Sequence, residues 1–578
     1  MRFTSVTVIA RRFIQEHRSL REEAVDFSID FPEAARYLNP DLVDDRDPYV
    51  ERLTESFAFL TARIREAMDS EDGLTQHLLD LLVPDLQQPL PSVTVVEFHP
   101  RMFHPSESAI KAGSEVRSVP LGESATTCRY TLNHDIPLRS FGVESAKVAM
   151  TDSDETPLEL SLESYSELSR GEWSERIPFY LHGDPTVVWA VRFALLRRVA
   201  RIQVMTDTDW VDCPELRFER LDQPGYASKT TFPGPFSDAR DFLCADDRFR
   251  FVQLVGAQSA LLSVEAPLRL RVEFTGPLPR GIWRAVNADL FRPMAGVVVN
   301  RFSEPCQSPI WDHTSASVMV LPQTGSHKEI LDVVSVQGLD TVNPSKRTRF
   351  LKYSSYRSRT EHAHFQVLRG HKRDGSRSTQ VALGGFAPGQ ELTNQYLAID
   401  AEFSDANLPH DQLSPENLCM HGPGIPEELT FRGLARPSVS FRPPPGSDPR
   451  SRLLAFAAGH FEGWLDAARL KDGLRQVLWD TSEAKRSLIE DIQDVSADHD
   501  HVLDHGVAWR RMHVKIRLRD TICTPDTWER LGVIDAFGSV LLKIAEDATP
   551  IGARTKLSVL VEPAGVALEW APVPDQRN

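Results

Sequence analysis

The clearest pattern of apolar and polar positions lies between residues 47 and 98. Apolar residues recur there at intervals of three and four, which predicts a helix with one apolar face; they are Val50, Leu53, Phe57, Leu60, Ile64 and Met68. Asp47 can cap this helix. Pro48 suits its first position, because the N–H group that proline lacks would have no partner there.

The middle of this predicted helix is apolar in every direction. Phe57, Ala58, Phe59 and Leu60 are consecutive, and at about 100° per residue they surround the helix axis. Such a helix must be covered on several sides. The pattern leaves two alternatives open, which are the centre of an intrachain core and a bundle shared with partner chains.

After Pro91 the pattern changes to short β-branched runs separated by Gly, Pro, Asn and Asp, which are typical of strands and turns. Strands are predicted at 91–98, 187–196, 201–211, 249–255, 268–274 and 334–339. A linker rich in proline follows at 443–449. Beyond it the pattern predicts a helix within 450–480, a strand around Val514, Ile516 and Leu518, a helix near 526–546 and a strand at 555–570.

These elements predict an α+β protein with a helical N-terminal arm, β-rich middle domains and a mixed α/β C-terminal domain. A chain of 578 residues is too long for one hydrophobic core. The predicted domains are a helical assembly region at 1–90, a β-rich domain at 91–325, a second β-rich domain at 326–445 that ends in the proline-rich linker, and the C-terminal domain at 446–578.

The composition of the chain argues against several classes of protein. The net charge of -17 argues against nucleic-acid binding through overall charge. No apolar run reaches the roughly 18–20 residues of a membrane span, and the first residues do not match a secretory signal, so the cytoplasm is the expected compartment. Six cysteines lie far apart without a CxxC pair, which favours reduced thiols over a disulfide framework or a structural zinc site.

Catalytic signatures are absent from the sequence. It contains no phosphate-binding loop, no H-E-x-x-H, no G-x-S-x-G and no dinucleotide fingerprint. We therefore expect no catalytic residue and no cofactor. A hydrolase that uses a pair of carboxylates remains an alternative, because such pairs leave no sequence motif.

The strongest metal candidate is the run of Asp and His at 498–505. It lacks the apolar residues that would surround a metal centre, so we predict a solvated acidic loop and no metal. His364 would share a strand face with His362, without a third ligand in view. The basic segment 346–377 carries Tyr353, Tyr356 and Phe365 among its cations, and in so acidic a chain it favours an acidic partner surface over nucleic acid.

Several segments resemble one known family. The resemblance is densest at residues 47–64, at 78–84 (Leu-Leu-Asp-Leu-Leu-Val-Pro) and at 89–93 (Pro-Leu-Pro-Ser-Val). These match the N-terminal signature of the TssF family, also called ImpG or VasA, whose members are baseplate subunits of the bacterial type VI secretion system. Sparser matches follow at 110–113, 128–131, 299–302, 353–359, 405–409 and 436–454. The opening segment at 1–13 departs from the family pattern, because the usual pair of tyrosines before the first helix is absent.

The resemblance implies a structural, non-enzymatic subunit. In this family two TssF copies and one TssG form a wedge, and wedges join TssK and TssE around the VgrG spike on the cytoplasmic side of the inner membrane. It also favours the shared bundle for the first helix, with the partner interface formed by Leu53, Phe57, Phe59, Leu60 and Ile64. The wedge protein of a contractile phage tail is a further alternative.

Overall fold

The computed structural model divides into two compact units, Met1–Leu79 and Asp80–Asn578. It describes residues 13–14, 16–20, 23–24, 29, 48–69, 78–79, 83–100, 109–122, 125–138, 141–149, 156–164, 174–206, 209–227, 234, 236–260, 267–276, 278–315, 317–325, 327–343, 345–353, 363–371, 377–385, 393–443, 456, 461–504, 507–550 and 552–570.

The α-helices of the described residues are α1 (Pro48–Asp69), α2 (Pro185–Arg197), α3 (Ser237–Cys244), α4 (Ala257–Ala260), α5 (Arg280–Trp283), α6 (Leu408–Gln412), α7 (Ala467–Val477), α8 (Glu483–Glu490) and α9 (Trp528–Ala548). Short 3-10 helices lie at Pro84–Gln87, Asp246–Arg250, Ala288–Leu290, Pro415–Asn417 and Phe461–Leu465. Among the helices described, none is both long and apolar enough to span a membrane.

The strands are β1 (Val93–Pro100), β2 (Ala109–Ile110), β3 (Glu115–Ser118), β4 (Arg129–Leu132), β5 (Ile136–Pro137), β6 (Phe141–Val148), β7 (Leu158–Ser164), β8 (Arg176–Leu181), β9 (Val199–Met205), β10 (Trp210–Asp212), β11 (Arg217–Arg220), β12 (Phe251–Val255), β13 (Leu268–Phe274), β14 (Phe291–Arg292), β15 (Ala295–Val299), β16 (Phe302–Pro305), β17 (Ile310–Trp311), β18 (Ser317–Met319), β19 (Glu329–Asp340), β20 (Arg347–Lys352), β21 (His364–His371), β22 (Arg377–Gly384), β23 (Gln395–Ser404), β24 (Leu418–His421), β25 (Leu429–Gly433), β26 (Ile492–Asp504), β27 (Val507–Arg519), β28 (Ala553–Glu562) and β29 (Val566–Trp570).

The first unit contains α1, which begins at Pro48 as predicted. Residues 13–14, 16–20 and 23–24 are also helical. The proposed cap Asp47 lies outside the described residues, and so do the side chains of Val50, Ile64 and Met68. The mixture of helices and sheets in the predicted fold class is confirmed, whereas a helical arm over the whole of 1–90 stays a prediction.

A six-stranded antiparallel sheet with the order β24-β3-β4-β15-β1-β25 lies in the second unit. Its strands come from distant parts of the chain, since Val93 pairs with Val299 and Phe98 with Phe431. Both faces of β1 are buried, Val95 in one hydrophobic cluster and Val96 in another. Segments from both sides of the predicted boundary at residue 325 therefore meet in one sheet.

Two smaller sheets follow, with the orders β10-β9-β13-β7-β6 and β11-β12-β8-β14. The strand predicted at 187–196 is wrong, because this segment forms α2. Residues 188–195 are all buried, and a run that is apolar on every side has no periodicity that separates helix from strand. Asp184 caps the helix by accepting a hydrogen bond from the Thr186 N–H at 2.8 Å. Asp184-Pro185 repeats the Asp-Pro start of α1.

Most of the predicted second β domain forms a sheet with the order β16-β23-β19-β20-β21-β22-β18, and β17 also pairs with β23. A bridge between Cys306 and Pro322 connects the two ends of this order, so the sheet curves back on itself. Its interior is filled by apolar side chains, among them Val336, Phe350 and Leu397. The result is a β body packed around a hydrophobic core.

The C-terminal sheet has the order β26-β27-β28-β29. Strand β27 runs parallel to β28, and α9 provides the crossover that parallel neighbours require. The strand around Val514, the helix near 526–546 and the strands within 555–570 are confirmed. The loop predicted at 498–505 is wrong for 498–504, which belong to β26. In the segment 450–480 residue 456, Phe461–Leu465 and α7 are helical.

Candidate assembly interface

Helix α1 exposes its large apolar side chains. Leu53 is 60% exposed, Phe57 55%, Phe59 53% and Leu60 54%. Four of the five predicted interface residues are therefore accessible in this chain. The side chain of the fifth, Ile64, is outside the described residues.

Three large exposed side chains of α1 lie opposite its buried alanines. At about 100° per residue, Leu53, Phe57 and Leu60 fall within an arc of about 60°. Ala58 and Ala62 are fully buried and lie on the other side of the helix. The helix thus directs its small side chains inward and its large apolar side chains toward solvent. This is the reverse of the usual amphipathic arrangement.

An exposed stripe of this kind has a thermodynamic consequence. Removing apolar surface from water contributes about 25 cal/mol per Å², and contiguous exposed apolar patches rimmed by polar residues mark interaction sites. Arg52 and Ser56 of the same helix are exposed polar residues near the stripe. The arrangement suits association with another apolar surface.

Two of the segments that carry the family resemblance meet in the second unit. The Asn300 Nδ2 donates to Asp405 Oδ2 at 2.8 Å, and the Asp405 backbone N–H donates to Asn300 Oδ1 at 2.6 Å. His327 Nε2 lies 3.4 Å from the Asp405 carboxylate. Burial raises the pKa of Asp405, although Asn300 and His327 act in the opposite direction. The pair connects the end of β15 to the end of β23.

Arg301, next to this pair, anchors a loop. Its Nη1 donates to Ala227 O at 2.7 Å and to Tyr226 O at 3.3 Å. Burial lowers the pKa of the guanidinium, while the charge of Glu402 raises it. The segments at 299–302 and 405–409 therefore have a structural role at this junction. The contact between these two segments could not be predicted, because they lie far apart in the sequence. The one indication was that both segments match the family pattern.

The family model for the type VI secretion system protein TssF matches residues 8–577. The chain belongs to the TssF family. Among curated relatives, the type VI secretion system component TssF1 of Pseudomonas aeruginosa is 28% identical over 319 residues, covering 50% of this chain and 51% of that protein. The chain thus spans about half the length of the curated relative that it matches.

Solved structures share the fold of this TssF-family chain. One is a chain of the TssK-TssF-TssG baseplate subcomplex of a type VI secretion system, with a TM-score of 0.75 and 20% identity over 92% of this chain and 99% of that one. Another belongs to the baseplate complex of the type VI secretion system, with a TM-score of 0.57 and 19% identity over 98% and 99% of the two chains.

In this TssF-family chain, part of the basic segment 346–377 is used internally. Lys352 Nζ lies 2.5 Å from Asp332 and Arg369 Nη2 lies 3.1 Å from it, and Asp332 is fully buried. Within the described residues of this segment, Lys346, Arg347 and Arg349 are exposed cations that a partner could contact. His364 packs against Tyr353, with ring centroids 5.3 Å apart, and its partner in the prediction, His362, lies outside the described residues.

Two acidic residues of the segment 498–504 form ion pairs across the β26–β27 hairpin. Asp498 accepts from Lys515 Nζ at 2.6 Å, and Asp500 accepts from Arg511 Nε at 2.9 Å. These hydrogen bonds lower the pKa of both carboxyls. The acidic residues that alternate with histidines on β26 therefore pair with cations on the neighbouring strand β27.

The carboxylate of Glu97 in β1 has a strongly lowered pKa. Burial alone would raise its pKa, but hydrogen bonds and charges from His99, Arg292 and Arg432 lower it to about 2. Arg432 Nη2 lies 3.0 Å and Arg292 Nη1 3.3 Å from its carboxylate. A group that stays ionised between two guanidinium groups is a structural anchor, since a general acid needs an accessible proton near neutral pH.

Proposed function

We propose that this chain is a structural subunit of a type VI secretion baseplate. In this role it assembles with a TssG, a TssK and a second copy of itself into a wedge, and it works as a scaffold part and not as an enzyme. Membership of the TssF family supports the proposal, as does the name of the solved subcomplex that shares its fold.

The observation that carries the proposal at residue level is the exposed stripe of α1. Its three large apolar residues, Leu53, Phe57 and Leu60, are each more than half exposed while the alanines on the opposite face are buried. Aromatic and aliphatic anchors are what the cores of protein interfaces use. We assign this stripe, together with Phe59 and Ile64 of the same helix, to the contact with a TssG or with a second TssF copy.

The remainder of the chain suits a rigid scaffold part. The sheets of the second unit are packed on hydrophobic clusters and connected by buried polar pairs such as Asn300–Asp405. Rigid bodies transmit a change in one contact to another. Within the proposal, wedges with TssE and the VgrG spike template sheath and tube assembly at the cytoplasmic side of the inner membrane. A change in wedge contacts would then release contraction.

The test is co-purification of the full chain with its co-encoded TssG. Phe57→Asp and Leu60→Asp should each reduce recovery of the complex at least about tenfold, because a carboxylate buried in an apolar contact costs more than 1.4 kcal/mol. Both positions are exposed in this chain, so the substitutions should leave its folding unchanged, which circular dichroism and thermal unfolding would verify.

Val342→Asp is the matched control. Val342 is 84% exposed and lies in the second unit, so the same apolar-to-acid change there should not affect recovery. Full recovery with folded Phe57→Asp and Leu60→Asp variants would remove α1 from the interface. Failure of the wild-type chain to bind any co-encoded baseplate protein would contradict the proposed function itself.

A further inference from the structure

Three side chains with metal-binding chemistry meet in the first unit. Ligand atoms of His17, Glu51 and Glu55 all lie within 4.8 Å of one another. His17 comes from the helical residues 16–20, while the glutamates are one turn apart on α1. Residues four apart on a helix project from the same face, so α1 presents both carboxylates to one imidazole. The sequence analysis missed this group because its members are 34 residues apart.

The imidazole is directed into the group. His17 Nε2 lies 3.5 Å from Glu51 Oε1, and this nitrogen is buried without a hydrogen-bond partner among the described residues. The ring of Phe13 stacks on His17 with centroids 5.7 Å apart and an interplanar angle of 17°. The stacking fixes the plane of the imidazole. A buried ring nitrogen without a hydrogen bond normally costs free energy, which a bound cation would recover.

The position of the group on α1 is also informative. Glu51 and Glu55 fall on the same side of the helix as the buried Ala58 and Ala62, within an arc of about 60° at 100° per residue. The exposed stripe around Phe57 is on the opposite side. A ligand held by the three residues would therefore tie α1 to the helical segment at His17 and leave the apolar stripe accessible.

The three side chains indicate which class of metal ion they would bind. One imidazole nitrogen and two carboxylate oxygens suit zinc and related divalent transition-metal ions. Metal–ligand distances of about 2.0–2.2 Å place neighbouring tetrahedral ligands roughly 3.3–3.6 Å apart. The pair His17–Glu51 already has this spacing at 3.5 Å. Glu55 is exposed and has a long side chain, so a change of its rotamer can complete the set.

We propose that His17, Glu51 and Glu55 form a binding site for a divalent transition-metal ion of the zinc class. Three protein ligands leave coordination positions for water. The ion connects two helical segments of the first unit and fixes the orientation of α1, and it requires no contact with another chain. This inference does not depend on the proposed function.

The test uses the full-length chain without partners, titrated with zinc chloride in a calorimeter and with cobalt chloride in an absorption spectrometer. We expect one saturable equivalent per chain, a d–d absorption band for cobalt with nitrogen and oxygen ligands, and a higher unfolding temperature with zinc. Glu55→Gln and His17→Ala should each weaken zinc binding by at least about tenfold. Glu55 is exposed, so Glu55→Gln should leave the fold intact even if His17→Ala does not.

Two matched controls separate this site from adventitious binding. His501→Ala removes an exposed histidine beside acidic residues of β26, and Glu428→Gln removes an exposed carboxylate of the second unit. Both should bind zinc as the wild type does. Loss of binding in His501→Ala, or unchanged binding in Glu55→Gln, would overturn the proposal, as would the absence of any saturable equivalent. None of these results depends on whether the chain assembles with TssG.

Discussion

Helices α1 and α9 have nearly the same length, 22 and 21 residues, and opposite relations to solvent. Helix α9 buries its large apolar side chains, among them Phe537 and Leu541, and even buries Asp535. Helix α1 buries alanines and exposes Phe57 and Leu60. The apolar surface of α9 is covered within this chain, whereas that of α1 is left accessible.

The charged residue of α9 shows how complete that coverage is. Asp535 accepts from Arg192 of α2 at 2.8 Å and from Arg197 at 2.7 Å. The Arg197 guanidinium also stacks on Trp570, 4.8 Å from the ring centroid. Both cations come from a segment more than 300 residues away in the sequence. A helix whose surface is covered by its own chain can therefore bury a charged side chain, because the same chain also supplies the oppositely charged partners.

The largest expected effect comes from truncating one phenylalanine in each helix. Phe537 is fully buried and stacks on Phe242 at 5.9 Å, so Phe537→Ala should lower the free energy of unfolding by about 3–5 kcal/mol. Phe57→Ala removes an exposed ring and should change it by less than about 0.5 kcal/mol in the isolated chain. Urea unfolding of both variants measures the difference. Similar losses in the two variants would mean that the exposed stripe is covered within the chain.

The sequence predicted both helices. Only for α1 did it indicate that the apolar surface must be covered, and it left open whether this chain or a partner covers it. The spacing of three and four at 50–68 and the Asp-Pro start identified α1, and the same signals identify a helix wherever they occur. What covers a helix depends on contacts between distant segments, such as Asp535 with Arg192, which no local pattern contains. The partner interface on α1 was therefore predicted from residue types and from the family resemblance. That its side chains are exposed could be seen only in the three-dimensional structure.

The two strand errors have the same origin. Residues 187–196 were predicted as a strand because their apolar run lacks a readable period, and the Asp184-Pro185 start of α2 was the missed signal. Residues 498–504 were predicted as a loop because they are polar. They form a strand that pairs with β27, where Asp498 contacts Lys515 and Asp500 contacts Arg511. In both cases the tertiary neighbours decided the local structure.

The second prediction tests the buried charge of α9. Asp535→Asn leaves Arg192 and Arg197 without a compensating anion and should lower the free energy of unfolding by about 3 kcal/mol at neutral pH. Burial would raise the pKa of Asp535, but the two arginines lower it below its ordinary value of 3.8. The stability that the carboxylate contributes is therefore present above that value and is lost as the pH falls through the lower pKa of the folded state.

Urea unfolding of the wild type and Asp535→Asn between neutral and acidic pH measures this contribution. The difference between the two proteins should shrink as the solution becomes more acidic than the ordinary pKa of aspartate. Glu428→Gln in the second unit is the control, since its carboxylate is exposed and its loss should change stability little. A difference that stays constant on acidification would contradict the assigned role of Asp535.

The smallest effect concerns the backbone contact that brings α2 and α9 together. A Cβ on Gly532 would lie 2.1 Å from the Trp189 carbonyl oxygen, so Gly532→Ala forces the two helices apart. Overpacking outweighs the better helix propensity of alanine, and the net loss should be about 2 kcal/mol. Gly281→Ala in α5 is the matched control, because its Cβ would meet nothing within 4 Å. If both substitutions stabilise the chain equally, close packing of α2 against α9 is not needed to cover the apolar surface of α9. The difference in coverage between α9 and α1 would then need another explanation.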